Sequence, residues 1–281
     1  MTDSSSPQLI LAQRLAARFG ELPQVEAVAL TGSLGMGVAD AHSDIDLYVY
    51  LQADIPVSDR LAVAAPYVAE DAEFDNQFWG TADSWHDLAS GIRVEGLYWW
   101  VSFIEGELDR VLRRHEASIG YSTCFWHSIR NGMILFDRGG WLTQIQAEAQ
   151  QPYPETLREA IVAKNHPILR ALSSSYLQQI EIAVQREDFV SVNHRTSVLL
   201  ASYFDILFAL NRVPHPGEKR LVPYAEKNCD KRPPQLREQI TRIVSNASAP
   251  DLVDQINVLI DGLDALLISE GFDVAGGAAK N

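Results

Sequence analysis

Cysteine is scarce in this 281-residue chain: Cys124 and Cys229 stand far apart, without a CxxC or His-x-x-Cys neighbourhood. That excludes a disulfide scaffold and a sequence-legible zinc site, and it fits a reducing compartment. Long apolar runs are missing too. The most apolar stretch, 198–210, is too short to span a bilayer and carries Asp205. The N-terminal residues hold Asp3 and only a short apolar run, which is not a signal-peptide pattern. These absences predict a soluble, cytoplasmic protein. No internal repeat occurs, and only the terminal AGGAAKN is low in complexity. There is no Gly-Lys-Ser/Thr and hence no Walker A loop. GSLGMG is spaced G-x-x-G-x-G, not as the G-x-G-x-x-G of a dinucleotide fold.

Lysine is absent from residues 1–150, where 9 Arg face 21 acids, a balance of 9 − 21 = −12. The remaining 14 basic and 16 acidic residues give 14 − 16 = −2, for a total of −14. Such a charge disfavours nucleic acid and anionic membranes as partners and tolerates small cations. A locally basic segment, 212–242, holds eight basic residues against four acids. With 47% apolar and 21% charged residues, the chain can bury a sizeable core, and its length suggests about two domains.

The apolar period changes along the chain. Residues 8–19 read as an amphipathic helix, then 25–30 and 45–51 as strands, with a helix from about Asp59. Further strands are predicted at 74–80, 91–100 and 133–136, and a helix at 103–115. Beyond Pro152 and Pro154 the pattern is helical, over about 156–172, 173–187, 190–210, 234–247 and 250–270. The expected fold is α+β: a small mixed-sheet domain over 1–150, then an all-helical domain over 151–281.

The most informative segment is LTGSLGMGVADAHSDIDLYVY, residues 30–50. A strand ends at Gly32-Ser33, a glycine-bearing turn follows, and Asp44-Ile45-Asp46 then opens an apolar strand. Alternation along that strand puts Asp44 and Asp46 on one side, roughly 7 Å apart. Two such carboxylates repel unless a cation or proton lies between them, and Mg²⁺ prefers hard oxygen ligands of this kind. Backbone N–H groups at the Gly32-Ser33 turn suit a phosphate. Taken alone, Gly32-Ser33 is an ordinary strand-to-helix turn and the aspartates a capped strand start. The registered pair favours phosphoryl-transfer chemistry.

Thr31-Gly32-Ser33, the gap, and Asp44-Ile45-Asp46-Leu47 resemble the signature of the DNA polymerase beta-like nucleotidyltransferase superfamily. Thr31 departs from its leading apolar position. The resemblance is tightest over 25–100, and the helical second half resembles the small-molecule, aminoglycoside nucleotidyltransferase-like branch in outline. It implies that Gly32 and Ser33 hold the triphosphate of an NTP such as ATP, and that Asp44 and Asp46 ligate Mg²⁺ in a two-metal site. A third carboxylate on a later strand is expected; Glu95 stands in that place, with Glu73 and Asp75 as rivals in a solvent-facing strand edge. Glu95 would complete the metal site or take the acceptor's proton. Lys219, beside the stiff Pro-His-Pro-Gly turn, is the candidate phosphate-binding cation of the second half. The implied reaction moves a nucleoside monophosphate to a hydroxyl of a small acceptor, a cationic one being favoured by the charge, and releases pyrophosphate. The alternatives are a nucleotide-sensing or antitoxin-like protein without turnover, or transfer to a protein or tRNA. His127, His166 and His215 have no partners at metal-ligand spacing, and His194-Arg195 reads as structural. Trp79, Trp85, Trp99, Trp100 and Trp126 read as core or cleft walls, and both cysteines as small hydrophobes.

Overall fold

The computed structural model describes residues 6–35, 43–69, 71–78 and 80–274. By their contacts the residues divide into two compact units, one of Met1–Asp109 with Ser128–Gln151 and one of Arg110–His127 with Pro152–Asn281.

The first unit opens with α1 (Pro7–Gly20), started by Pro7 and by the Ser6 hydroxyl, which accepts from the Leu9 amide. Its elements then run β1 (Val25–Leu30), α2 (Gly32–Gly35), β2 (Ile45–Leu51), α3 (Val57–Ala64), β3 (Glu73–Asn76), β4 (Ala82–His86) and β5 (Arg93–Trp100). After α4 (Val101–Leu112) and α5 (Cys124–Asn131), it regains β6 (Met133–Asp137) and α6 (Trp141–Glu148). The six strands form one mixed sheet in the order β3-β4-β5-β2-β1-β6. Only β2 and β5 pair in parallel, so α3, β3 and β4 make up the crossover between them. Alternation sorts the sheet's faces. Ile45, Leu47, Val49 and Leu51 join Val94, Tyr98, Leu15 and Phe19 in the core, while Asp46, Tyr48, Glu95 and Trp99 belong to the other face.

The second unit is helical: α7 (Glu155–Arg170), α8 (Tyr176–Gln185), α9 (Phe189–Leu210), α10 (Leu221–Asn228), α11 (Leu236–Ser245) and α12 (Leu252–Ser269). Every residue over 201–210 of α9 is buried, as expected of the central helix of a bundle. The fold is thus α+β followed by an all-helical region. Among the described residues, no helix is long and apolar enough to cross a membrane.

Candidate active site

The site grows from the β1–α2–β2 connection. Past the end of β1, the Thr31 amide donates to the Asp46 carbonyl at 2.9 Å, and the Thr31 hydroxyl donates to the same oxygen at 3.2 Å. The departure from an apolar residue here therefore has a function in the fold, because the hydroxyl helps clamp β1 to the start of β2. Gly32 follows with φ +62°, a left-handed conformation that glycine adopts freely. A Cβ at Gly32 would stand 1.9 Å from Oδ2 of Asp46. The bare backbone and the carboxylate thus occupy one cradle that no other residue type would leave open. Gly35 is equally constrained: its amide donates to the Thr31 carbonyl at 3.0 Å, and a Cβ would come 2.3 Å from the Leu30 carbonyl oxygen.

Asp46 is half-buried on β2, and Asp44 stands exposed just ahead of that strand. The parallel register sets Asp46 beside Glu95 of β5, and the antiparallel register sets Ser84 of β4 on Glu95's far side. Residues paired across neighbouring strands point to the same face, so Asp46 and Glu95 share the face opposite the core. Arg93, two residues earlier on β5, holds its guanidinium 3.6 Å from Oε1 of Glu95. The structure therefore brings Gly32, Asp46 and Glu95 together and leaves Asp44 at the mouth of the strand. Among the described residues, no three His, Cys, Asp or Glu side chains gather as a metal site. The donor chemistry nonetheless suits a hard cation: carboxylates on adjacent strands, with a glycine that leaves room for that of Asp46. The side chain of Ser33 lies outside the described residues.

The rival carboxylates are used elsewhere. Glu73 is exposed on edge strand β3, and Asp75, with φ +62°, accepts from Arg60 Nη2 at 2.8 Å. Arg60 also donates through Nη1 to Asp83 at 2.7 Å, and Tyr98 donates its hydroxyl to Asp83 at 2.7 Å. Asp83 is fully buried and Arg60 only 4% exposed. Burial raises the Asp83 carboxyl above its ordinary value, while the hydrogen bonds from Asp75 and Tyr98 and the nearby Arg60 charge oppose the shift. This knot was not foreseen in the sequence, because ADSWH over 82–86 offers no apolar alternation to mark β4.

Lys219 belongs to the second unit, exposed in the bend ahead of α10. The turn before it is stiff for a visible reason: His215 is fully buried, donates its amide to Thr123 Oγ1 at 2.8 Å and accepts the Gly217 amide on Nδ1 at 3.1 Å. His166 is held by Asp264 at 2.6 Å, which Arg170 also contacts at 2.5 Å. His194 is exposed on α9. Trp85 and Trp126 are core residues, Trp99 is half-buried, Trp100 is 43% exposed, and Trp79 lies outside the described residues. Cys229 is buried and Cys124 half-buried.

Residues 12–78 match the nucleotidyltransferase domain family, a stretch that contains Gly32, Ser33, Asp44 and Asp46 and ends before Glu95. Within the first unit, residues 12–78 thus carry a nucleotidyltransferase domain. Residues 123–221 match a domain of unknown function, DUF4037. A solved structure of a nucleotidyltransferase-like protein from Exiguobacterium sibiricum 255-15 is similar over 92% of this chain and 74% of its own, with 14% identity and a TM-score of 0.42. No curated protein matches.

Proposed function

We propose that this chain transfers a nucleoside monophosphate from an NTP to a hydroxyl of a small acceptor. The acceptor oxygen bonds to the α-phosphorus, the α–β phosphoanhydride bond breaks, and pyrophosphate leaves. The observation that carries the reading is the cradle in which glycine at position 32 meets the Asp46 carboxylate, in register with Glu95. Asp44 and Asp46 would hold Mg²⁺. When bound, Mg²⁺ supplies charge neutralisation for the phosphates and lowers the energy of the attacking and leaving oxygens. Gly32 and Ser33 present backbone amides to the triphosphate. Glu95 is the general base, taking the proton of the acceptor hydroxyl as the O–P bond forms. The −12 balance over residues 1–150 favours a small, cationic acceptor over a polyanion.

Thermal unfolding with each of the four NTPs, with and without Mg²⁺, tests the reading on wild type, Asp44→Asn and Asp46→Asn. A Mg²⁺-dependent rise for one or more NTPs, lost in both variants, is expected. Wild-type protein that gains nothing from any NTP at millimolar concentration would overturn the assignment. Pyrophosphate release with a panel of hydroxylated amines then separates transfer from sensing without turnover.

A further inference from the structure

A cavity lies in the first unit, on the sheet face away from Asp46 and at the other end of the two parallel strands. It measures about 280 Å³ and is walled by Leu51, Trp100 and the 54–57 loop on one side and by Arg60, Asp75 and Thr81 on another. Leu51 and Trp100 are register partners at the C-terminal ends of β2 and β5, whereas Asp46 and Glu95 are partners five residues earlier. Five residues of strand span about 16 Å, and alternation turns Leu51 away from the face of Asp46. No ligand in this cavity could be the one whose atoms react beside Asp46.

The lining states what would fit. Arg60 contributes little free charge, because its two terminal nitrogens are already committed to Asp75 and Asp83. Its buried Nε, however, finds no acceptor among the described residues. Asp75 takes both of its side-chain bonds, from Arg60 and Gln77, on Oδ1, which leaves Oδ2 without a hydrogen bond among the described residues. Asp54 likewise makes neither a hydrogen bond nor an ion pair among them. Of the charged residues that line the cavity, Asp54 and Asp75 outnumber Arg60, whose charge is shared with the buried Asp83. Trp100 adds a half-open indole and Ile55 and Pro56 an apolar floor. An anion would meet the Asp54 carboxylate and the open Oδ2 of Asp75, whose other oxygen is already ion-paired with Arg60. An ammonium group would meet both those carboxylates and an aromatic face.

We infer that this cavity binds a small primary amine with a flat ring and a hydroxyl or ether oxygen, independently of the nucleotide site. In this arrangement the ammonium pairs with Asp54 and Asp75, the ring lies on Trp100, and the oxygen answers the Arg60 Nε.

Tyramine is the probe, titrated calorimetrically into the full chain. Saturable binding at one site is expected, with 4-ethylphenol, which lacks the ammonium, at least about tenfold weaker. Asp54→Asn and Trp100→Ala, both at exposed positions, should each weaken tyramine about two- to fivefold. Asp46→Asn should leave the affinity unchanged, and Mg²⁺-NTP should not compete. The inference fails if tyramine does not saturate or if 4-ethylphenol binds as well. It also fails if neither Asp54→Asn nor Trp100→Ala alters binding, or if Mg²⁺-NTP displaces the amine. Because Asp46→Asn separates the two sites, loss of nucleotide binding alone would strike the proposed reaction and leave the amine cavity standing.

Discussion

Gly32 concentrates the residue-scale argument, since two independent constraints meet on it. Its φ of +62° strains any L side chain, and its missing Cβ is what lets Oδ2 of Asp46 occupy the cradle. Gly32→Ala should therefore destabilise the fold by about 1–2 kcal/mol through the backbone alone. It should also displace the Asp46 carboxylate, with a loss of activity on the order of 10²-fold. A melt in Mg²⁺-NTP checks this: the variant should fold and yet lose the nucleotide-dependent rise. Thr31→Val offers a contrast. It removes only the 3.2 Å hydroxyl bond to the Asp46 carbonyl, and should lower stability by about 0.5–1.5 kcal/mol while nucleotide binding survives. The sequence displayed Gly32, Ser33, Asp44 and Asp46 because they lie within one short spacing pattern. It could not display the pairing of Asp46 with Glu95, because which strands become neighbours is decided by a crossover through α3, β3 and β4. The departure at Thr31 was legible only as a departure; its reason is a hydrogen bond across fifteen residues.

The long helices with a strong period were legible, whereas the eight-residue helices α5, α6 and α10 were not, and the edge hairpin β3–β4 reads in the sequence as one strand over 74–80. The helices α8 and α9, expected over about 173–187 and 190–210, are opened by Ser175 and Asp188, whose side chains accept the amides of Gln178 and Ser191. By contrast β4 contributes Asp83 and Trp85 to the interior, and a buried aspartate cannot be told from a surface one until its partner is known. Arg60 of α3 is that partner, and it ties the helix to both strands of the edge hairpin, through Asp83 of β4 and Asp75 of β3. Removing Asp83 should leave the buried guanidinium with only the half-exposed Asp75 as an ion partner. Asp83→Leu is expected to destabilise the first unit by about 3–5 kcal/mol in urea unfolding. Asp75→Asn, at a residue whose side chain is 47% exposed, should cost less than about 1 kcal/mol. Equal losses in the two variants would mean that the exposed aspartate, rather than the buried one, anchors the hairpin.

At the scale of the whole molecule, stability against pH turns on two buried groups of the helical unit whose effects oppose each other. Asp205 of α9 accepts the amide and hydroxyl of Ser122 at 3.0 and 2.6 Å, and burial pushes its carboxyl up to about 7, an effect those bonds only partly offset. Unfolded, it would ionise near the ordinary ~3.9. Between those values the folded chain holds a proton that the unfolded chain has lost. The Asp205 contribution is therefore complete below about pH 4 and lost as pH rises through about 7. His215 runs the other way. Burial, with a smaller push from His127, lowers it to about 3, so the folded chain stays neutral where the unfolded chain, with an ordinary value of ~6.5, takes up a proton. Its contribution appears as pH rises from about 3 to 6.5. Over roughly pH 4–6.5 the two slopes offset one another, which leaves the carboxylates held low by salt bridges to act mainly below that window. Removing one partner should expose the other. In Asp205→Asn, stability should climb from pH 4.5 to 6.5 relative to wild type, by up to about 1.4 kcal/mol per pH unit. In His215→Gln it should fall over the same interval. Urea unfolding of both variants and wild type at pH 4.5, 5.5 and 6.5 reads the difference directly, since every other titrating group cancels in the subtraction. Parallel profiles for Asp205→Asn and wild type would show that Asp205 is already ionised in the folded chain. The Ser122 bonds, rather than a retained proton, would then be what makes a carboxylate tolerable in the centre of the bundle.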